Sequence, residues 1–226
     1  MPEELASTEQ RILWRRLCEK LPNLPVRLTG EGEVTLAPAQ DFREKHNVEN
    51  PELYAVFPFR LVAIGKPDVE WGVEALRSRA DRGAFGWRQD DVFMAYIGQK
   101  GEVKEYVAKR ARAKHEKSGF PAFWGPNYDW VPDQDHGSIL MKALQSMLMQ
   151  VDGRRIYLLP AWPREWDVEF KLHAPFRTII VGKVKNGEFI HLEVNPKERL
   201  KDVVIIPQLK TLGHCRTTCS LGSRIR

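Results

Sequence analysis

A polar and aromatic stretch at residues 120–136 carries the side chains best suited to chemistry. Residues 120–150 read FPAFWGPNYDWVPDQDHGSILMKALQSMLMQ. The stretch combines three large rings with five polar side chains: Trp124, Tyr128, Trp130, Asn127, Asp129, Asp133, Asp135 and His136. Aromatic rings stack on the C–H faces of sugars, while carboxylates and amides bind sugar hydroxyls. The composition therefore predicts a carbohydrate site, and the alternative is a helix entry with exposed acids.

The element that positions this stretch is the helix that follows it. From Gly137 onward the apolar residues recur at helical spacing, at Ile139, Leu140, Ala143, Leu144, Met147 and Leu148. A buried helix would hold the polar loop in a fixed place. Within the loop, Trp124 and Trp130 are either stacking platforms for a sugar or core aromatics, while Asn127 and His136 are candidate substrate contacts.

Two further segments supply candidate contacts to a sugar. Glu49, Asn50 and Glu52 could accept hydrogen bonds from hydroxyls, although the sequence Asn50-Pro51 is also typical of a turn.

The opposite rim of the predicted site consists of Trp87, Arg88 and Gln89, which fall in the first turn of a predicted helix. Asp90 and Asp91 follow directly, and favourable interaction with the helix dipole would alone explain these two acids. That explanation does not extend to Arg88 and Gln89.

Composition narrows the classes of partner. The chain has 226 residues and a net charge of +5. Four of those charges lie in the last twenty residues, which hold no acid, so the body is nearly balanced and nucleic acid is not expected as a partner. No apolar run is long enough to span a membrane. His214, Cys215 and Cys219 lack an obvious fourth ligand, so we expect no metal and no cofactor.

The order of elements predicts an α+β fold in which helices precede strands. Helices are expected over residues 5–21, packed against a core, and over 68–79, 87–98 and 102–115, with a short hairpin near Gly30–Gly32. The basic residues of the 102–115 helix are expected on a solvated face: Lys104, Lys109, Arg110, Arg112 and Lys114.

After Asp152-Gly153 the pattern changes to short strands. RRIYLLPAW, EWDVEFKLHAP, RTIIVGKVKNGEFIHLEVNP and KDVVII predict an antiparallel, sandwich-like region, with a tight hairpin at Asn186-Gly187. The expected division is a helical part over 1–152, a β domain over 153–206 and a basic, disordered tail over 207–226.

Four segments, in order, resemble motifs of one enzyme family. NPELYAVFP at 50–58 resembles its HLSHLYGLYP, and Gly86-Trp87 resembles the start of its TGWS. PDQDHG at 132–137 resembles its QIDGNFG, and IYLLPAWP at 156–163 with Trp166 resembles its LLPALPxxW. The family is glycoside hydrolase family 95, the α-L-fucosidases and α-L-galactosidases of the six-hairpin glycosidases, and the chain resembles a divergent bacterial branch of that superfamily.

The resemblance implies the last hairpins of an (α/α)6 toroid followed by a C-terminal β domain. The chain would then be the C-terminal part of a longer, periplasmic or secreted enzyme, and its partners would be a carbohydrate substrate and the rest of the catalytic barrel. The localisation of the chain itself does not follow from its sequence.

The resemblance also implies hydrolysis with inversion, in which one carboxyl group protonates the leaving oxygen and another activates water. Asp133 takes the position of the general base, with Asp135 as the competing candidate, and the general acid lies upstream of this chain. Gln134-Asp135 replaces the Gly-Asn of the family and Glu52 replaces a histidine, so a changed sugar or leaving group is expected. The alternatives are a non-catalytic carbohydrate-binding module, or a phosphorylase or lyase on the same fold.

Overall fold

The computed structural model describes residues 5–44, 48–114 and 134–207. Apart from a short hairpin after the first helix, helices lead and strands follow, so the predicted α+β class is confirmed. The helices are α1 (Thr8–Glu19), α2 (Val69–Ser78), α3 (Asp90–Tyr96), α4 (Lys100–Arg112) and α5 (Gln134–Leu148), with 3-10 helices at Pro51–Ala55 and Lys197–Asp202. In these ranges the helices do not close into a barrel.

The strands form three small sheets. β1 (Val26–Leu28) and β2 (Val34–Leu36) make the predicted N-terminal hairpin. The second sheet has the order β3-β4-β8, from Met149–Asp152, Arg155–Leu158 and Val203–Ile205. The third has the order β5-β6-β7, from Val168–Ala174, Thr178–Lys185 and Glu188–Asn195.

The predicted hairpin at Asn186-Gly187 joins β6 to β7. Both turn residues have positive φ, 53° for Asn186 and 78° for Gly187, as a tight two-residue hairpin turn requires. One expectation for the β region is wrong, because β8 pairs with β4 in parallel rather than antiparallel. The chain reaches that position through the 3-10 helix Lys197–Asp202, which allows β8 to run in the direction of β4.

A single hydrophobic core connects the helical and the β elements. It extends from Leu36 through Met94 and Met147 to Ile180 and Val194. The predicted division between residues 152 and 153 falls at the turn between β3 and β4.

Helix α1 does not pack as its sequence predicts. Its start is well defined, because the Ser7 hydroxyl accepts a hydrogen bond from the Gln10 N–H while the Gln10 side chain accepts one from the Ser7 N–H. Yet none of its residues is buried, and its apolar residues Leu13 and Leu17 are 54% and 52% exposed. The expectation that this helix lies against the core is therefore wrong.

Helix α5 also has different bounds from those expected. The helix already includes Gln134, Asp135 and His136, and it ends at Leu148, where the chain enters β3. The apolar spacing identified the buried face correctly, since Leu140, Ala143, Met147 and Leu148 are buried. The predicted start of the helix at Gly137 was wrong, because a glycine within the first turns of a helix is tolerated when tertiary contacts hold its neighbours.

Candidate functional site

A cleft of about 210 Å³ lies between the segment around residue 50 and the start of α3. Five residues predicted as substrate contacts line it: Glu49, Asn50, Trp87, Arg88 and Gln89. The other lining residues are Val48, Tyr54, Asp81, Asp90 and Phe93. Two chain segments that the sequence placed on opposite rims therefore meet at one cavity.

Asn50 joins the two walls of the cleft. Its Nδ2 donates to the carbonyl of Asp81 at 2.9 Å, and its Oδ1 accepts from the N–H of Asp81 at 3.2 Å. An amide side chain that pairs with both backbone groups of one residue fixes the spacing between two loops. Asn50 is buried, so its first role is to hold the cleft together.

Arg88 and Asp81 form the floor of the cleft on the helical side. The guanidinium donates twice to the carboxylate, from Nε at 2.9 Å and from Nη2 at 2.6 Å. The same guanidinium lies against the Phe85 ring, with Arg88 Cζ 4.8 Å from the ring centroid. Because this pairing is bidentate and largely buried, it orients both side chains rigidly.

Glu49 and Tyr54 form a polar pair at the other wall. The Tyr54 hydroxyl donates to Glu49 Oε2 at 2.9 Å. Burial, followed by the hydrogen bond to Glu49 and the negative charges of Glu49 and Glu52, raises the pKa of Tyr54 to about 12. The phenol is therefore held protonated, and Glu49 Oε1 has no hydrogen-bond partner among the described residues.

The Gly86–Arg88 wall is held from behind by Arg110 and His136. Arg110 donates to the carbonyl of Gly86 from Nη1 at 2.8 Å and to that of Arg88 from Nη2 at 2.6 Å. His136 Nδ1 accepts from the Gly86 N–H at 3.1 Å, and its Nε2 lies 2.9 Å from the carbonyl of Arg110. This geometry requires the neutral tautomer with its proton on Nε2. Trp87 is thus presented by a wall that α4 and α5 both support.

Asp90 and Asp91 are buried ion-pair partners, and do not serve as simple caps of α3. Asp90 Oδ1 lies 2.5 Å from Arg79 Nε, and Asp91 Oδ2 lies 2.7 Å from Arg110 Nε. Burial raises the pKa of both carboxyl groups, and the neighbouring arginines oppose that rise.

Arg110 corrects the prediction of a wholly solvated basic face on α4. Its side chain is fully buried, because Asp91 and two carbonyl groups satisfy its donors. Arg112, two residues on, remains exposed as predicted.

The remaining predicted contacts lie elsewhere. Glu52 is half-buried on the 3-10 helix and does not line the cleft. Asp135 is exposed in the first turn of α5. His136 is fully buried, and both of its ring nitrogens face backbone groups, so it supports the wall in place of facing a ligand. Four predicted residues lie outside the described residues: Trp124, Asn127, Trp130 and Asp133.

Sequence reasoning missed Tyr54, Asp81 and Phe93 as cleft residues. Tyr54 lies one helical turn after Asn50, and the continuous apolar run around it indicated burial alone. Asp81 follows α2 in an irregular segment without a distinctive sequence signal. Its proximity to Asn50 depends on a contact across 31 residues.

The cleft offers several complementary groups to a ligand. Of its three lining carboxylates, Asp81 and Asp90 are neutralised by arginines, whereas Glu49 is paired with a neutral phenol. Trp87 adds an indole and Gln89 an amide. The part of the chain described contains no cluster of three or more metal-ligating side chains. The arrangement can therefore bind a neutral, hydroxyl-rich ligand through one carboxylate and several neutral groups.

Comparisons with known proteins give no assignment. No protein-family model matches this chain, and no curated protein sequence matches it either. Among the described helices, none is both long enough and apolar enough to cross a bilayer.

Proposed function

We propose that this chain is part of an inverting glycoside hydrolase and that the cleft holds one sugar residue of its substrate. The observation that carries the proposal is the convergence of Glu49, Tyr54, Trp87 and Gln89 on one cavity. Its volume lies below the roughly 300 Å³ typical of pockets for drug-sized ligands, which suits a single sugar ring.

A second observation concerns the segment that carries the candidate bases. The hydrogen bond between Gly86 and His136 brings the first turn of α5 against the back of the Trp87 wall. Asp135 is adjacent to His136 in the sequence, and Asp133 lies three residues before it. On this proposal Asp133 is the general base that activates water, with Asp135 as its competitor, and the general acid comes from a part of the enzyme upstream of this chain.

A non-catalytic carbohydrate-binding module is the second candidate. It is favoured by the ion pairs of the cleft, because Arg88 and Arg79 occupy the carboxylates of Asp81 and Asp90. Glu49 then remains as the one lining carboxylate without a cationic partner in the described segments. A single carboxylate can bind a hydroxyl, but inversion requires two carboxyl groups with separate roles.

Binding of sugars to the chain tests both candidates at once. Monosaccharides, beginning with L-fucose and L-galactose, would be titrated against the chain while amide chemical shifts are recorded. We expect shifts at Glu49, Tyr54 and Trp87, and about two- to tenfold weaker binding after Trp87→Ala, since loss of a stacked ring removes about 0.5–1.5 kcal/mol. Trp14→Ala, at an exposed position of α1 outside the cleft, is the control. Absence of shifts with every sugar would contradict the proposed site.

Turnover separates the enzyme from the binding module. In the enzyme, Asp133→Asn abolishes hydrolysis and leaves sugar binding intact, whereas Asp135→Asn leaves both largely unchanged. Hydrolysis that survives Asp133→Asn would remove Asp133 from the mechanism. Binding without any turnover, measured in a protein that also contains the upstream region, would favour the binding module.

A further inference from the structure

A second groove, separate from the cleft, lies between α5 and two strands of different sheets. It has a volume of about 520 Å³. Its walls include three consecutive residues of β3, Met149, Gln150 and Val151, and three consecutive residues of β5, Lys171, Leu172 and His173. No residue of this groove lines the sugar cleft.

The groove runs along strand edges. Side chains alternate between the two faces of a strand, so three consecutive residues can line one groove only where the backbone edge faces it. In the described part of the chain, β3 pairs with β4 alone and β5 pairs with β6 alone. The two edges that meet at the groove are therefore the unpaired ones, and they present backbone N–H and C=O groups that a further strand could pair with.

The charged side chains that line the groove are all positive. Lys142 and Lys171 both line it, and none of its lining residues is an acid. The Lys142 ammonium lies over the rings of Phe57 and Tyr96, 5.5 Å and 6.0 Å from their centroids, so aromatic contacts orient it. The nearby carboxylates are already engaged, since Asp152 pairs with Lys66 at 2.8 Å and Glu169 with Lys183 at 3.2 Å.

We propose that this groove binds an extended, acidic peptide segment of a partner protein by strand addition. Unpaired edges supply backbone hydrogen bonds, which give affinity, and the two lysines supply charge complementarity, which selects acidic over basic partners. Lysines on an edge also discourage pairing with uncharged or basic strands, so the same residues protect the free edge from indiscriminate association.

The test uses the full 226-residue chain and a labelled peptide of about eight residues in which valine alternates with glutamate. Two matched peptides accompany it. One has lysine in place of glutamate, and the other has N-methyl groups on alternate backbone amides, which removes the donors along one edge and keeps the charge. Fluorescence anisotropy gives the affinities, and amide chemical shifts give the location. We expect the acidic peptide to bind with shifts at residues 149–151 and 171–173, and both altered peptides to bind at least about tenfold more weakly.

Two charge reversals give a matched pair of variants. Lys171→Glu is expected to weaken binding about fivefold or more, since it replaces attraction by repulsion beside the peptide. Lys109→Glu changes the net charge equally at an exposed position of α4 outside the groove, and it should leave binding unchanged.

Three results would overturn the proposal. Equal affinity for the N-methylated peptide would show that charge alone acts and that no strand is added. Equal effects of Lys171→Glu and Lys109→Glu would show that the groove is not the site. Failure of the acidic peptide to bind, or to shift residues 149–151 and 171–173, would show that the two edges are closed to ligands. None of these results depends on whether the cleft binds sugar.

Discussion

Arg110 Nε lies 2.7 Å from Asp91 Oδ2, and neither side chain is exposed to solvent. The two residues come from neighbouring helices, α4 and α3, and the same guanidinium also binds the carbonyls of Gly86 and Arg88. One buried side chain thus joins the packing of two helices to the shape of the cleft wall.

Loss of Arg110 should be strongly destabilising. Arg110→Met would leave Asp91 buried without its cation, and breaking a buried ion pair in this way costs about 3–5 kcal/mol. Urea unfolding would measure the loss. Arg112→Met, at an exposed position of the same helix, is expected to change the free energy of unfolding by less than about 0.5 kcal/mol. Similar values for the two variants would contradict the role given to the Arg110–Asp91 pair.

The Tyr54 phenol should titrate well above an ordinary tyrosine. Its pKa is raised from 10.0 to about 12, so the folded chain keeps this proton where the unfolded chain releases it. The resulting stability is present in full below about pH 10 and is lost as the pH rises through about 12. Rapid alkaline titration followed by phenolate absorbance, carried out on the wild type and on Tyr54→Phe, gives the ionisation of Tyr54 as the difference between the two curves.

Glu49→Gln serves as the matched variant for that titration. It removes the charge but keeps the size of the side chain and a carbonyl that can still accept from the phenol, so the Tyr54 pKa should fall toward its ordinary value without reaching it, because burial remains. An unchanged titration in Glu49→Gln would mean that the negative charge of Glu49 does not raise the pKa of Tyr54.

His136 should act on the cleft through backbone positions. His136→Ala removes an acceptor for the Gly86 N–H and a donor for the Arg110 carbonyl, which costs about 1–3 kcal/mol for the buried groups left unpaired. Hydrogen exchange at the Gly86 amide should accelerate, and sugar binding should weaken although His136 does not line the cleft. His136→Asn, which can still accept from Gly86, should retain more of the Gly86 protection. Equal protection in both variants would argue against this contact.

Two glycines should respond oppositely to alanine. At Gly182 in β6 an added Cβ would lie 2.5 Å from Phe170 Cζ and 3.0 Å from Phe189 Cε1, so Gly182→Ala should cost about 1–3 kcal/mol through overpacking. At Gly101 in α4 nothing lies within 4 Å of the added atom, so Gly101→Ala should stabilise by about 0.5 kcal/mol. Thermal unfolding of the two variants measures both changes in stability. An unchanged stability in Gly182→Ala would show that Phe170 can move.

Local signals predicted most of the elements correctly. Helix α2 has bounds within a residue of those expected, and the Asn186-Gly187 hairpin forms as its turn residues require. Helix α1 shows the limit of periodicity, because its apolar stripe indicates a face that can be buried without identifying what would cover it. Strand β3, Met149–Asp152, was not predicted, because strands were expected only after Asp152-Gly153.

The sequence predicted only part of the cleft, because contacts between residues far apart in the chain, such as Asn50 and Asp81, bring other side chains to it. Glu49, Asn50, Trp87, Arg88 and Gln89 were singled out from the sequence and meet at the cavity.

The sequence also did not predict which charged residues form buried ion pairs. Arg110 and Asp91 are 19 residues apart, and nothing in a charged helical segment distinguishes the one arginine that turns inward. Ion-pair partners of this kind are set by how helices pack, which periodicity does not encode.

The backing of the Trp87 wall makes the cleft an indicator of folding. Gly86 is held by one residue from α4 and one from α5, so the cleft has its full shape only when α3, α4 and α5 are assembled. A ligand of the cleft would then bind the assembled state alone and raise the free energy of unfolding of the helical region with its concentration, by about 2.7 kcal/mol at a hundredfold excess over its dissociation constant. Thermal shift could therefore screen for ligands without any assay of turnover.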